Sequence, residues 1–142
     1  MGDGKLTVAD YPIAEKRPEL IRTRRGRRLD EITLDRLVAG EVGLEDLRIT
    51  PDALRLQAEI ARAAGRPMLA ANFERSAELV DIPQDFIMKV YELLRPGRAA
   101  DKQPLLEAAR TLRETYRAER IAAFVEEAAE VYERRGLFKF RF

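Results

Sequence analysis

The stretch DLRITPDALRLQAEIARAAGRPMLAANFERSAEL, from Asp46 to Leu79, contains two helices whose ends are visible in the sequence itself. Thr50 is suited to cap the first helix with its hydroxyl, and Pro51 fits the first helical position, where a backbone N–H has no partner. Gly65 ends that helix and Pro67 begins the next one. The apolar residues between these points recur at helical spacing, so the stretch predicts two amphipathic helices that pack on a core.

Shorter helical signals lie on both sides of this stretch. Over residues 33–47, Thr33 is suited to cap and Gly40 to end a short helical turn, and a second turn follows. Downstream, Pro83 begins another amphipathic helix, which the Pro-Gly pair at residues 96–97 ends. Because the connections are short, we expect neighbouring helices to be antiparallel.

The C-terminal third of the chain predicts one long helix from Asp101 to Arg135. This range has no glycine, and its single proline, Pro104, falls in the first turn, where proline is tolerated. A helix of that length would extend about 50 Å, more than a domain of this size covers. Its apolar stripe changes phase near residues 117–120, which indicates a bend or a change of partner. The predicted fold is therefore all-α, a small open helical bundle with one long C-terminal helix.

The N-terminal residues predict an irregular, extended arm over residues 1–32, followed by a single helical domain over residues 33–142. Prolines and a glycine interrupt any helical period in the arm, and basic residues outnumber acidic ones there. Its apolar residues lie in two groups, around Tyr11-Pro12-Ile13 and at Leu20-Ile21. Two interpretations stay open: these groups drape over another subunit, or they cover the core of this chain.

The segment RTRRGRR, from Arg22 to Arg28, has five arginines in seven residues. Such density favours phosphate contacts, so a helical RNA-binding or adaptor protein is the alternative function for this chain. Aromatic residues for base stacking are not interleaved with these arginines, and the formal net charge of the whole chain is only +1. We therefore do not expect nucleic acid as the partner, and interpret the segment as a solvated loop or as a contact for an acidic patch on another protein.

The composition argues against catalysis by this chain alone. It has no histidine and no cysteine, which removes the usual general base, the commonest metal ligand and thiol chemistry. We find no phosphate-binding glycine loop, nucleophile elbow or metal-spaced cluster. We expect no catalytic, cofactor-binding or metal-binding residue here. No segment is long and apolar enough to cross a bilayer, so we expect no membrane contact and a cytoplasmic location.

The arm, the overlong helix and the tail Gly136–Phe142, which alternates apolar and basic residues, instead predict contacts with a partner protein. Buried polar groups need hydrogen-bond partners, so some polar residues of the central helices are also candidates for holding a partner. The candidate partner-contact residues are Tyr11, Pro12, Arg48, Asn72, Arg75, Tyr116, Phe124, Leu137, Phe138 and Phe140.

Several ordered segments resemble one protein family. They are DYPIAEKRPE, LDEITLDRLVAGEV, TPDALRLQA with the following AGR and NFERSAEL, LRP at 94–96, and AAFVEEAAEVYERR. Together these segments, which span residues 10–135 in the same order, resemble the small (gamma) subunit of adenosylcobalamin-dependent diol and glycerol dehydratases. Ordered segments with intact spacing are far more specific than one short motif.

This resemblance implies an assembly. Such dehydratases are hydro-lyases that convert 1,2-diols or glycerol to an aldehyde and water by a radical route. Large, medium and small subunits form a dimer of heterotrimers, that is, a heterohexamer. The substrate lies in the large subunit, and adenosylcobalamin lies between the large and medium subunits. By implication this chain packs mainly on the large subunit, stabilises the assembly, and supplies neither a catalytic group nor a coenzyme ligand.

Overall fold

A computed structural model describes residues 4–138 and confirms the all-α prediction, since those residues contain helices and no strand. The chain divides into two compact units, residues 1–80 and residues 81–142. The boundary predicted at residue 32 lies inside the first unit, and the single-domain organisation stays a prediction. The first unit contains α1 (Ile13–Lys16), α2 (Leu34–Val38), α3 (Leu44–Leu47), α4 (Pro51–Ala63) and α5 (Pro67–Leu79). The second contains α6 (Gln84–Leu94), α7 (Gln103–Glu114) and α8 (Glu119–Arg135).

The α4–α5 hairpin is the centre of the first unit and has the ends predicted for it. The Thr50 hydroxyl accepts a hydrogen bond from the Ala53 N–H at 3.1 Å, and Gly65 adopts the left-handed φ of +72° that closes α4. Small residues form the contact between the two helices, because Ala58, Ala61 and Ala70 are buried together. Side chains of this size let the two backbones approach closely.

The N-terminal arm is irregular, as predicted, but it consists of short helical turns instead of an extended chain. Besides α1, it has 3-10 turns at Val8–Asp10, Pro18–Leu20 and Leu29–Glu31. Its apolar residues Leu6 and Ile13 are buried against Ile60 of α4, and Leu20 and Ile21 pack around them. Of the two open interpretations, covering the core of the same chain is therefore correct for Ile13, Leu20 and Ile21.

The prediction of one long C-terminal helix is wrong. The chain leaves α7 after Glu114 and begins α8 at Glu119, and Arg117 between them adopts a left-handed φ of +56°. The Ala118 N–H donates to the Leu112 carbonyl at 2.9 Å and closes the turn. Neither glycine nor proline marks this break. The predicted phase change of the apolar stripe at residues 117–120 was its only trace in the sequence.

Helices α7 and α8 form an antiparallel hairpin. An ion pair joins Arg113, near the end of α7, to Glu126 in the first half of α8 at 2.6 Å. Lys102, just before α7, pairs with Glu133 near the end of α8 at 2.7 Å. Between them lies a core of small and aliphatic residues: Leu105, Ala108, Ala109, Leu112, Ala118, Ala122, Val125 and Ala129. The burial of these residues stabilises the turn at Arg117, which a non-glycine residue adopts at some cost.

The C-terminal end of α8 is bonded to the end of α6 and to the turn that follows it. Gly136 ends α8 with a left-handed φ of +65°, and the Leu137 N–H donates back to the Tyr132 carbonyl at 2.9 Å. The Gly97 N–H donates to the Leu137 carbonyl at 2.9 Å, and the Tyr132 hydroxyl donates to the Leu94 carbonyl at 2.5 Å. Over residues 4–138, no helix is both long and apolar enough to cross a membrane.

A candidate partner interface

A buried carboxylate organises the surface around α3. The side chain of Asp46 has no solvent exposure, although it lies in a helix of four residues. One of its oxygens accepts a hydrogen bond from the Thr23 hydroxyl at 2.9 Å. The other accepts from the Gly43 N–H at 3.1 Å and from the Arg25 guanidinium at 2.9 Å. A second guanidinium, that of Arg27, lies 3.9 Å away. The Asp46 carboxylate thus connects Thr23 and Arg25 to the start of α3.

The arginine-rich segment is the structure that closes over this carboxylate. Its backbone turns back on itself, since the Thr23 N–H donates to the Arg27 carbonyl at 3.0 Å and Arg22 and Arg28 form an antiparallel bridge. Gly26 supplies the left-handed φ of +78° that this tight turn requires. We call residues 22–28 the basic hairpin. It closes around one side chain of α3, that of Asp46, which lies about twenty residues later in the sequence.

The electrostatics around Asp46 favour its ionised form. Burial raises the pKa of a carboxyl group, but here the Gly43 N–H, the Thr23 hydroxyl and the positive charges of Arg25 and Arg27 outweigh that effect. The pKa of Asp46 therefore lies below its ordinary value. A buried charge is tolerated only when it is paired and hydrogen-bonded, and this environment meets both conditions.

These contacts correct the interpretation of the basic segment. Arg25 and Arg27 face Asp46, and the guanidinium of Arg28 pairs with Asp30 at 2.9 Å. The segment is therefore neither a wholly solvated loop nor reserved for acidic groups of another protein. Guanidinium groups already engaged with carboxylates of the same chain are less available to phosphates, so the geometry does not favour the RNA-binding alternative.

Next to the basic hairpin, short helices turn their apolar residues outward. All residues of α2 are exposed or half-buried, and Leu34, Leu37 and Val38 lie on one face of it at i, i+3 and i+4. Helix α3 buries the acidic Asp46 and exposes Leu44 and Leu47. We call the seven exposed aliphatic residues of this segment the aliphatic patch: Leu29, Leu34, Leu37, Val38, Leu44, Leu47 and Ile49.

Part of the aliphatic patch borders a depression of about 250 Å³. Leu29, Leu47 and Ile49 of the patch line it, together with the half-buried Ile21 and Ile32. Its wall is mostly apolar, although Asp46 and Arg48 also contribute to it. A cavity of this size and chemistry can accept one or two apolar side chains of another protein.

A second apolar depression, also of about 250 Å³, lies where the arm meets the α4–α5 hairpin. Tyr11 and Val8 line it on one side, and Leu69 and Phe73 of α5 line it on the other. Tyr11 is 58% exposed, so its ring is accessible from outside. The structure thus places this predicted contact residue at the rim of a groove.

Comparison with known proteins identifies the family. Residues 6–139 match the protein family described as "Dehydratase small subunit". The chain belongs to the dehydratase small-subunit family. This confirms the resemblance drawn from the ordered sequence segments, and it covers nearly the whole chain.

Two relatives are similar to this family member over most of its length. The propanediol dehydratase small subunit of Citrobacter freundii is 48% identical over 132 residues, which are 93% of this chain and 76% of that protein. The propanediol dehydratase small subunit of Salmonella typhimurium (strain LT2) has the same identity and the same coverage. As a small subunit of a multi-subunit dehydratase, this chain has partner subunits.

In this dehydratase small subunit, the predicted polar contact residues lie at the surface. Arg48 is exposed and pairs with Glu45 at 3.2 Å, at the edge of the aliphatic patch. Asn72 is exposed on α5, and its side-chain oxygen accepts a hydrogen bond from Arg75, which is half-buried. Pro12 is half-buried after a cis peptide bond. The structure therefore brings Asn72 and Arg75 together but leaves Arg48 in a different place.

The predicted aromatic contacts of the second unit differ in exposure. Tyr116 is half-buried, with its ring centroid 5.4 Å from that of Phe86. Phe138 is half-buried too, and its ring meets that of Tyr132 edge-on at 6.0 Å. Leu137 is half-buried in the turn after α8, whereas Phe124 is 40% exposed. Phe140 lies outside the described residues. All ten residues remain predicted partner contacts.

Two features of this dehydratase small subunit were missed from the sequence. Asp46 was not singled out, because an acidic residue in the first turn of a helix is usually a solvated partner of the helix dipole. The outward leucines of α2 and α3 were assigned only to helical turns. One signal was available in the sequence. A helix of four or five residues is too short to be stable by itself, so three aliphatic residues on α2 indicate packing against another protein.

Most acidic groups of the site region pair with arginines. Glu31 pairs with Arg36 at 3.3 Å, and Asp10 pairs with Arg17 at 3.2 Å. Across residues 4–138, no group of three or more acidic, histidine or cysteine side chains is placed to hold a metal ion. The arrangement offers a surface with paired charges and exposed aliphatic groups, which suits binding to another protein.

Proposed function

We propose that this chain is the non-catalytic small subunit of an adenosylcobalamin-dependent propanediol or glycerol dehydratase. The enzyme converts a 1,2-diol or glycerol to the aldehyde and water by a radical mechanism. In this proposal the chain packs on the large catalytic subunit and stabilises a dimer of heterotrimers in the cytoplasm.

One observation supports the proposal above all others. Identity of 48% to two propanediol dehydratase small subunits extends over 93% of the chain. Identity at this level along nearly the full length goes beyond a shared fold, because it includes surface positions that a fold alone does not fix. The family match over residues 6–139 agrees with it.

The residues of this chain do not fit the coenzyme. Adenosylcobalamin is much larger than a drug-sized ligand, and pockets for drug-sized ligands already measure about 300–1,000 Å³. Three depressions in the described part of the first unit each measure about 250–260 Å³. The chain also has no histidine to offer as a cobalt ligand. The proposal therefore assigns the coenzyme and the substrate to the large and medium subunits, and no reaction step to this chain.

A structural role agrees with the physical character of the chain. Several charges beside the aliphatic patch are paired within the chain, and the exposed aliphatic residues are concentrated in one segment. Such a surface has a small desolvation cost when it is covered and a large hydrophobic gain. A subunit of this kind contributes to the assembly by mass action, since anything that binds only the native state of a protein stabilises it.

Co-expression tests the proposal. The chain is produced with the large and medium dehydratase subunits that are encoded with it, the complex is isolated through a tag on the large subunit, and size-exclusion chromatography follows. We expect this chain to co-elute with both larger subunits. We also expect dehydratase activity with 1,2-propanediol and adenosylcobalamin to last longer at elevated temperature than that of a preparation without this chain.

The matched control is the same expression without the gene for this chain. If the large and medium subunits assemble and retain full, equally stable activity without it, and the chain does not co-purify, the proposal is wrong. Glycerol and 1,2-propanediol are compared as substrates in the same preparation. That comparison assigns the substrate preference to the complex, not to this chain.

A further inference from the structure

We propose that the aliphatic patch is the surface with which this chain docks onto the large dehydratase subunit. The proposal rests on the proposed function, and it assigns the contact to specific residues that neither the family match nor the relatives indicate. The ten contact residues predicted from the sequence include none of the seven side chains of the patch.

Helices α2 and α3 have their apolar residues on the solvent side. In an isolated globular protein, a short helix is stabilised mainly by packing its apolar face on the core. Here Leu34 of α2 is 73% exposed and Val38 is 82% exposed, while α3 exposes Leu44 by 77% and buries the carboxylate of Asp46. The apolar residues of both helices therefore face solvent in the free chain.

The exposed hydrophobic residues of the chain are concentrated in the patch. Thirteen large hydrophobic residues are exposed within the part of the chain that the structure describes, and seven of them fall between residues 29 and 49. Single exposed aliphatic residues are normal on a protein surface, but a cluster marks a binding surface. The second unit, by comparison, exposes Met88, Tyr91 and Phe124 at scattered positions.

Charged side chains beside the patch are paired with one another. Arg28 pairs with Asp30, Arg36 with Glu31, and Arg48 with Glu45, at distances of 2.9–3.3 Å. Because each of these charges already has a partner in the chain, an apolar surface can approach without leaving a charge unmatched. Pairing of this kind lowers the desolvation cost that normally opposes burial of charged rims.

The size and apolar character of the patch suit a permanent protein partner. The patch has seven exposed aliphatic side chains, which is enough for the apolar centre of an interface whose one side has about 20–30 residues. Permanent interfaces are also the more apolar ones. Under the proposed function the permanent partner of this chain is the large subunit, so we assign the patch to that subunit and not to a second copy of this chain.

The depression lined by Leu29, Leu47 and Ile49 supplies an anchor point within this surface. Interfaces concentrate their binding energy where a side chain of one partner enters a pocket of the other. We therefore expect an aromatic or large aliphatic side chain of the large subunit to occupy this depression, with α2 packed beside it.

The test uses the whole complex and two matched variants. The patch variant combines Leu34→Ser, Leu37→Ser and Val38→Ser on α2. The control variant combines Met68→Ser and Met88→Ser, which are 77% and 47% exposed and lie outside the patch. Each is co-expressed with the large and medium subunits, and the amount that is retained on a tagged large subunit is measured. We expect wild-type retention for the control and at least a tenfold loss for the patch variant.

Circular dichroism and thermal melting of the purified chains show whether the variants fold. Should the triple variant be unfolded, the single change Val38→Lys replaces it, because this side chain is 82% exposed and a lysine is accommodated there in the free chain. We expect Val38→Lys to reduce retention several-fold without changing the melting temperature.

The outcomes separate the two proposals. Retention of a folded patch variant equal to that of the control overturns the assignment of the surface and leaves the proposed function intact. Failure of the wild-type chain to be retained overturns the proposed function itself. If the free chain is a homodimer that the patch variant abolishes, while retention on the large subunit is unchanged, the patch belongs to a second copy and this inference is wrong.

Discussion

The α7–α8 hairpin and the segment from residue 29 to residue 49 differ in which side chains they bury. The hairpin buries Leu105, Leu112 and Val125 almost completely and leaves its charged residues outside. The segment buries a charged residue, Asp46, and leaves its leucines outside. Both are well-defined structures, but only the hairpin is built around an apolar core of its own.

Because of this difference, the residues that stabilise the fold are not the residues that are proposed to bind the partner. In the hairpin, apolar residues contribute to the free energy of folding, because they leave water when the chain folds. In the segment, hydrogen bonds and ion pairs to Asp46 hold the backbone and Val42 is buried, whereas the seven aliphatic residues of the patch stay exposed and contribute little to folding. Substitutions in the two regions should therefore affect different measurements.

The largest effect on stability is expected in the hairpin core. Leu112 is 1% exposed, and Leu112→Ala leaves a cavity, so we expect the free energy of unfolding to fall by about 2–5 kcal/mol. The same change at the exposed Leu34 should alter it by less than about 0.5 kcal/mol. Chemical denaturation of the purified variants measures both. Equal losses at the two positions would show that α2 is packed in the free chain and would remove the contrast.

The next largest effect is expected at Asp46. Asp46→Asn keeps the shape of the side chain but leaves Arg25 and Arg27 without their common negative charge. We expect the melting temperature at neutral pH to fall by roughly 3–6 °C. Asp52→Asn is the matched control, because Asp52 is exposed and its pairing with Arg55 is a surface contact. A drop of the same size in the control would contradict a special role for Asp46.

The pH dependence of the Asp46 variant gives a second readout. The pKa of Asp46 in the folded chain lies below its ordinary value, so its ionised form stabilises the fold. That contribution is complete above the ordinary carboxyl range and is lost as the pH falls through the lowered pKa. The difference in melting temperature between wild type and Asp46→Asn should therefore shrink below about pH 4. A difference that grows on acidification would show that burial raises this pKa.

The smallest effect is expected at the helix caps, where the two regions can again be compared. Thr50→Ala removes the acceptor for the Ala53 N–H at the start of α4, and we expect a loss of about 1 kcal/mol in the free energy of unfolding. Thr33→Ala removes the similar cap of α2. Because α2 contributes little burial, its loss should appear as faster amide exchange within α2 and leave the global stability nearly unchanged. A global loss of the same size at both caps would contradict this.

The parts of the fold that were predictable are those encoded by neighbouring residues. Thr50, Pro51 and Gly65 set the ends of α4 through their own backbone and hydroxyl chemistry, so no distant contact is needed to identify them. The break between α7 and α8 was missed because Arg117 adopts its left-handed conformation under the influence of packing between two helices. The shift in apolar phase indicated that position but did not show that the chain reverses there.

The surface was less predictable, since both of its main features depend on contacts between distant residues. The basic hairpin folds around a carboxylate some twenty positions away, so the arginines alone suggested phosphate or another protein. Leu44 is exposed on the same short helix that buries Asp46. Resemblance to a family established what kind of assembly the chain enters, but the residues that make the contact required a structure.

The exposed leucines also have a calorimetric consequence. The heat capacity change of unfolding comes mainly from apolar surface that is newly exposed to water. Leu34, Val38 and Leu44 are already largely in water in the free chain, so opening of α2 and α3 adds little to it. The missing contribution should reappear when the chain enters its complex, as a negative heat capacity change on association. The thermodynamic signature of this segment thus belongs to assembly and not to folding.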